Sequence, residues 1–199
     1  MMVRHIPNIL TTFRILITPF FVYSFFMSGL TWKLIMFFTF LFSTLTDKLD
    51  GHLARKYNWE SALGKFLDPL ADKVLLTAAF ICLLFVDYID IWMVAVIVLR
   101  DFFVTWLRTF GHKRGRPVKT LEIARWKTGF QTVVLYIALV FMIIKSILHY
   151  YGIESGIVET IDAWNLIWVL MLLASLFTLL TGIVYIFENK HLFSKNQTA

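Results

Sequence analysis

Cysteine is nearly absent: Cys82 is the single one in 199 residues. That excludes an intramolecular disulfide and a thiolate metal cluster, and its place in an apolar run reads as a small buried hydrophobe. Charge is scarce too, at 16% of residues. No low-complexity tract, soluble domain or internal repeat interrupts the chain, so 1–199 reads as one domain. A small-x-small cleavage site is missing after the first apolar run, around Ile9 to Met27, so that run is expected to be a retained span and not a removable signal. What fills the chain instead is apolar: 59% hydrophobic and 17% aromatic, with a mean hydropathy of +0.73. Soluble domains have an apolar share of about 45–50%, so this is the composition of an integral membrane protein.

A helical span needs roughly 20 apolar residues. The runs predict an all-α integral membrane fold, a bundle of six transmembrane helices at about 7–29, 31–56, 63–86, 89–112, 122–149 and 161–188. Short connections make successive helices antiparallel neighbours, and the tail KHLFSKNQTA is expected to fray. If the N-terminus is cytoplasmic, the loops near 30, 87 and 154 are external. Of the nineteen Lys and Arg only Lys33 and Lys145 then lie outside, beside Asp87, Asp90, Glu154, Glu159 and Asp162. The positive-inside rule selects that topology, a multi-pass protein of the cell inner (cytoplasmic) membrane. The net charge of +6 and pI near 9.5 follow from the same asymmetry and attract anionic lipid headgroups; they do not call for nucleic acid. The loop GHKRGRPVKT reads as a solvated inside loop. Trp32, Trp59, Trp92, Tyr150 and Tyr151, near span ends, read as an interfacial belt.

Against this background DKLDGHLARKYNWESALGKFLDPLADK, residues 47–73, stands out. Asp47 and Asp50 fall at i and i+3, with Ala54 four residues further on the same face. Gly64, Asp68 and Asp72 fall at i, i+4 and i+8 of the next helix. If the two helices are antiparallel neighbours, both stripes can look into one gap. Gly51, Ala54 and Gly64 are small where backbones, or a ligand, would come close. An ionised Asp deep in a bilayer costs about 2.5–3.5 kcal/mol even on the mild insertion scale, and mutual repulsion would drive some of four to protonate. Divalent cations remove both difficulties. An oxygen-only donor set favours a hard ion, Mg²⁺ first and Mn²⁺ second, and two stripes have room for the two ions that clamp a phosphoryl group in transfer. Capping, or pairing with Arg55, Lys48, Lys56, Lys65 and Lys73, would explain one such acid but not two regularly spaced sets. Pro69 frees the carbonyl of Lys65, a kink tolerated where backbone groups find partners near a cavity. His52, alone at a helix end, reads as solvated.

The string reads DxxDGxxAR, eight residues, then GxxxDxxxD, and it resembles the motif of the CDP-alcohol phosphatidyltransferases at Asp47, Asp50, Gly51, Ala54, Arg55, Gly64, Asp68 and Asp72. The resemblance covers the whole chain and implies that family's six-helix fold, with the active site facing the cytoplasm, and a homodimer. It implies that Asp47, Asp50, Asp68 and Asp72 bind the metal and that Asp72 doubles as general base. It also implies that Asp50, Gly51, Ala54, Arg55 and Gly64, together with Asn8 and Thr11, hold the cytidine nucleotide. The residues alone leave the base open, yet the need is plain: an alcohol attacking phosphorus must lose its proton to a group within reach.

Three further segments are polar where spans should be apolar. Asn8, Thr11 and Arg14 lie at i, i+3 and i+6. Arg100 and Arg108 are two turns apart on helix 4, and Arg125, Lys127, Thr128 and Gln131 open helix 5. They read as an anion-binding rim, with snorkelling as the bland reading for Arg125. PNxLTxxR, the Arg-acid pair on helix 4 and KTxxQ resemble the branch of the family whose acceptor is sn-glycerol 3-phosphate, although Asp101 stands where glutamate is common and Lys48 where an apolar residue is. This implies an enzyme that transfers a phosphatidyl group from CDP-diacylglycerol to that acceptor, whose phosphate Arg14, Arg100, Arg108 and Lys127 would bind. Its rivals are a cardiolipin synthase of the same fold, with phosphatidylglycerol as acceptor, and a divalent-cation transporter. Transport sites lie near the midplane between repeated halves, whereas these acids sit near one face of an unrepeated chain.

Overall fold

The computed structural model of the protein describes residues 6–57, 62–113, 123–153 and 156–189. Among these the fold is entirely helical: α1 (Ile6–Phe26), α2 (Leu30–Tyr57), α3 (Ala62–Phe85), α4 (Ile91–Lys113), α5 (Ile123–Tyr151), α6 (Gly156–Ala163) and α7 (Leu166–Glu188). The first five match the expected helices to within three residues at each end. The sixth expected helix, 161–188, is corrected: a short α6 precedes it and the chain breaks at Trp164 and Asn165. Asn165 takes a left-handed backbone, φ 49°, which Asn tolerates better than most side chains. Its N–H closes α6 on Asp162 O at 3.0 Å, and its carbonyl starts α7 by accepting from Val169 N at 3.0 Å.

Two lobes form around shared partners. α1 packs against α2 and α3, α7 packs against α4 and α5, and the lobes meet where α2 packs on α5 and α3 on α4. A continuous apolar core joins them, including Phe21, Phe40, Leu83, Met93, Leu135 and Met171. The Phe40 ring lies 5.6 Å from Phe21 and 5.2 Å from Tyr136, linking α1, α2 and α5. The Tyr136 hydroxyl is hydrogen-bonded to Thr44.

Outside this core the surface is greasy: Leu99, Phe102, Leu180 and Phe187 are each more than 60% exposed. Apolar surface on that scale needs a non-aqueous neighbour. Among the described residues two helical stretches, Trp126–Tyr151 and Leu166–Glu188, are long and apolar enough to cross a bilayer. The protein is a membrane protein.

Side-chain bonds mark the two ends of the bundle. At one end Lys33 donates to the carbonyl of Phe25, one of the last carbonyls of α1, which lack helical partners. There too Lys145 of α5 pairs with Asp162 of α6 and lies within 6 Å of the Tyr88 and Phe141 rings. Asp90 accepts from the indoles of Trp92 at 3.1 Å and Trp168 at 2.9 Å. The opposite end gathers the start of α3, the end of α4, the start of α5 and the end of α7. That end carries the polar site.

Candidate active site

Asp47, Asp50, Gly51, Ala54 and Arg55 fall on α2, and Gly64, Asp68 and Asp72 on α3. Both segments are helical throughout, so the i, i+3 and i, i+4, i+8 registers stand. Residues 58–61 join the two helices, which limits the separation of Tyr57 and Ala62 to about 18 Å. The side chains of residues 47–72 lie outside the described residues, as do those of Asn8, Thr11, Arg108 and Arg125. Among the described residues no group of three or more His, Cys, Asp or Glu could hold a metal ion. The metal assignment therefore falls outside them.

What the structure brings together begins one residue after Asp72. Lys73 Nζ donates to the backbone carbonyl of Asp101 on α4 at 3.0 Å and also bonds Thr105 Oγ1. Thr105 Oγ1 donates to the same carbonyl at 2.7 Å. The Asp101 carboxylate faces two cations: its Oδ1 accepts from Lys127 Nζ of α5 at 2.5 Å and from Arg100 Nη1 at 3.2 Å. Lys127 is 1% exposed. A lysine so buried in an apolar bundle needs a counter-ion, because a lone charge there is strongly unfavourable.

From α7 the site receives its floor. Arg100 Nη2 donates to Thr181 Oγ1 at 3.3 Å. Gln131 Nε2 donates to Thr178 Oγ1 at 2.8 Å, and both threonines return their own protons to the helix backbone, at Ala174 and Thr178. Gly182 makes the approach possible, since a Cβ there would sit 3.0 Å from Arg100 Cγ. Arg14 is buried on α1, where its carbonyl accepts from Thr18 Oγ1 at 2.9 Å.

Of the residues expected to bind an acceptor phosphate, Arg100 and Lys127 are thus brought together, through a shared carboxylate. Asp101 had been visible only as the acid after an arginine. Lys73, which the sequence offers only as a partner for the aspartates, bonds Asp101 and Thr105; Thr178, Thr181 and Gly182 are not among the expected site residues. Their signal is legible in retrospect: TLLTG places two hydroxyls and a glycine at i, i+3 and i+4 of an otherwise apolar span, the small and polar spacing that helix contacts in membranes use.

The sequence pattern of one family, described as CDP-alcohol phosphatidyltransferase, matches residues 4–180. The chain belongs to that CDP-alcohol phosphatidyltransferase family. The match takes in α1 through most of α7 and every residue of the two aspartate stripes. It ends one residue before Thr181, so the last turns of α7, whose Thr181 and Gly182 meet Arg100 of α4, lie beyond it. A protein of Rickettsia felis named CDP-diacylglycerol–glycerol-3-phosphate 3-phosphatidyltransferase is 31% identical over 92% of this chain and 93% of its own. Proteins of the same name from Cereibacter sphaeroides and Bacillus subtilis are 35% identical over 66% of this chain and 62% of theirs, and 44% over 47% and 49%.

Proposed function

We propose that the chain transfers the phosphatidyl group of CDP-diacylglycerol to sn-glycerol 3-phosphate, giving phosphatidylglycerophosphate and CMP in phospholipid biosynthesis. The observation that carries this reading is a near full-length relative bearing that activity in its name. The Arg100–Asp101–Lys127 cluster, in which Lys127 is buried and the other two are partly so, supports it, because a small acceptor with a phosphate needs cations held in a partly desolvated setting.

In the transfer, an acceptor hydroxyl oxygen forms a bond to the phosphorus that carries diacylglycerol. The bridging P–O bond of the pyrophosphate breaks, CMP leaves, and the hydroxyl proton passes to a carboxylate. Asp72 is the proposed base. Asn8, Thr11, Asp50, Gly51, Ala54, Arg55 and Gly64 hold the cytidine nucleotide, and Arg14, Arg100, Arg108 and Lys127 hold the acceptor phosphate. Asp47, Asp50, Asp68 and Asp72 fit divalent metal as a donor set, being oxygen-only and repeated in helical register on two joined helices, and they would hold Mg²⁺ or Mn²⁺. When bound, the cations balance the charge of the pyrophosphate and the departing nucleotide.

This reading includes α1–α5 and α7 as six spans, the aspartate end at the cytoplasmic face of the inner membrane, and a homodimer. The decisive experiment supplies the purified protein with CDP-diacylglycerol, Mg²⁺ and one acceptor at a time: sn-glycerol 3-phosphate, phosphatidylglycerol, serine or an inositol phosphate. Phosphatidylglycerophosphate from the first is the expected product. Cardiolipin from the second, with no product from the first, would overturn the reading.

A further inference from the structure

Lys127 and Arg100 enter the site from different helices, and one carboxylate sets the distance between them. Asp101 Oδ1 accepts from both, at 2.5 and 3.2 Å. The hub is itself tied down, because Lys73 of α3 bonds its backbone carbonyl at 3.0 Å. On its other side Arg100 is held by Thr181 at 3.3 Å, with its stem across Gly182. The Arg100 Nε is buried and has no hydrogen-bond partner among the described residues. A buried guanidinium donor left open is unfavourable unless something completes it. Two cations on one carboxylate also leave a single net positive charge. The residual charge suits an anionic oxygen, and the unpartnered Nε, packed towards Gly182, leaves the guanidinium incompletely bonded among the described residues.

We infer that Asp101 is a positioning residue for the acceptor anion: it fixes the Lys127 ammonium and the Arg100 guanidinium relative to each other so that a phosphate monoester on the incoming alcohol engages both. Asp101 does not touch the substrate; it acts through the two cations. The inference rests on the acceptor assignment above. The competing role is charge compensation for buried Lys127 and nothing more, which would affect stability without discriminating between the two substrates.

The test compares wild type, Asp101→Asn and Asp101→Glu, purified in detergent with CDP-diacylglycerol and Mg²⁺. Asparagine keeps the volume and one acceptor oxygen but removes the charge. The expected result is an sn-glycerol 3-phosphate KM raised about ten-fold or more, a kcat within about three-fold and an almost unchanged CDP-diacylglycerol KM. Asp101→Glu should recover most of the acceptor affinity. A second readout needs no turnover: sn-glycerol 3-phosphate should raise the Tm of wild type, and the concentration giving half of that shift should rise in Asp101→Asn by the same factor as KM. If Asp101→Asn does not fold, Asp101→Glu carries the test, with an acceptor KM raised a few-fold and an unmoved CDP-diacylglycerol KM. Equal losses for both substrates, a lowered Tm with unaltered acceptor KM, or a Glu variant no better than Asn would reduce Asp101 to a charge compensator. A wild-type enzyme that ignores sn-glycerol 3-phosphate but uses another acceptor would instead fail the acceptor assignment and take this inference with it.

Discussion

Gly182 makes a tight contact in the site, since a Cβ there would sit 3.0 Å from Arg100 Cγ. Its missing Cβ is filled by the stem of Arg100, and the near end of that stem, Cγ, cannot swing aside as a side-chain tip can. Gly182→Ala should push the guanidinium off Thr181, raise the acceptor KM several-fold and leave the CDP-diacylglycerol KM alone. Overpacking of this kind costs about 1–3 kcal/mol, so the Tm should fall as well. Alanine at 182 with wild-type KM and Tm would show that Arg100 has another resting place. Asp72 and Asp50 test the chemistry at the same scale. Asp72→Asn keeps the shape of a ligand but cannot take a proton, and general-base catalysis is worth roughly 10²–10⁴ in rate. Its kcat should drop by that order while CDP-diacylglycerol still binds. Asp50→Asn should instead raise the Mg²⁺ concentration needed for half-maximal rate. Turnover that survives exhaustive chelation in the wild type would remove the metal from the scheme.

Between α5 and α7 the decisive link is polar, and its energetics are asymmetric. Gln131 and Thr178 are both buried and bonded at 2.8 Å. Removing one partner strands the other, at about 1–3 kcal/mol, whereas removing both can be nearly neutral. Thr178→Val alone should therefore lower the Tm clearly, and adding Gln131→Leu should restore most of it. Additive losses in a double-mutant cycle would contradict the pairing. The helices themselves were readable because hydropathy runs and span length are local properties. The break at Asn165 was not, because apolar residues continue on both sides of it and neither Gly nor Pro marks the turn. Of the proposed site, spacing picks out the aspartate stripes, whose side chains lie outside the described residues, and the cations Arg100 and Lys127, which the structure brings together. The hub was not: Asp101 joins Lys73, Arg100 and Lys127 across three helices, and no spacing in one segment encodes that.

Over the whole molecule, the two basic residues that break the charge asymmetry are both employed at the end opposite the site. Lys33 caps the carbonyl of Phe25 in α1, and Lys145 pairs with Asp162. They are accounted for by local partners, so they do not argue against a topology with the remaining basic residues inside. That topology makes a measurable claim about which loops a polar reagent can reach. The lone Cys82 is buried, so Cys82→Ala gives a cysteine-free background from which single reporters can be built. Small hydrophobic swaps of this kind cost little when the site collapses well, and activity of the background variant checks that the fold is kept. Ser155→Cys then reports on the residues after α5, and Thr120→Cys on the basic segment between α4 and α5. In intact cells a membrane-impermeant maleimide should label the Ser155→Cys protein and spare the Thr120→Cys protein, and permeabilisation should make the second reactive. The reverse pattern would place the aspartate end outside, away from any cytoplasmic supply of a phosphorylated alcohol, and would count against the proposed acceptor as strongly as against the orientation.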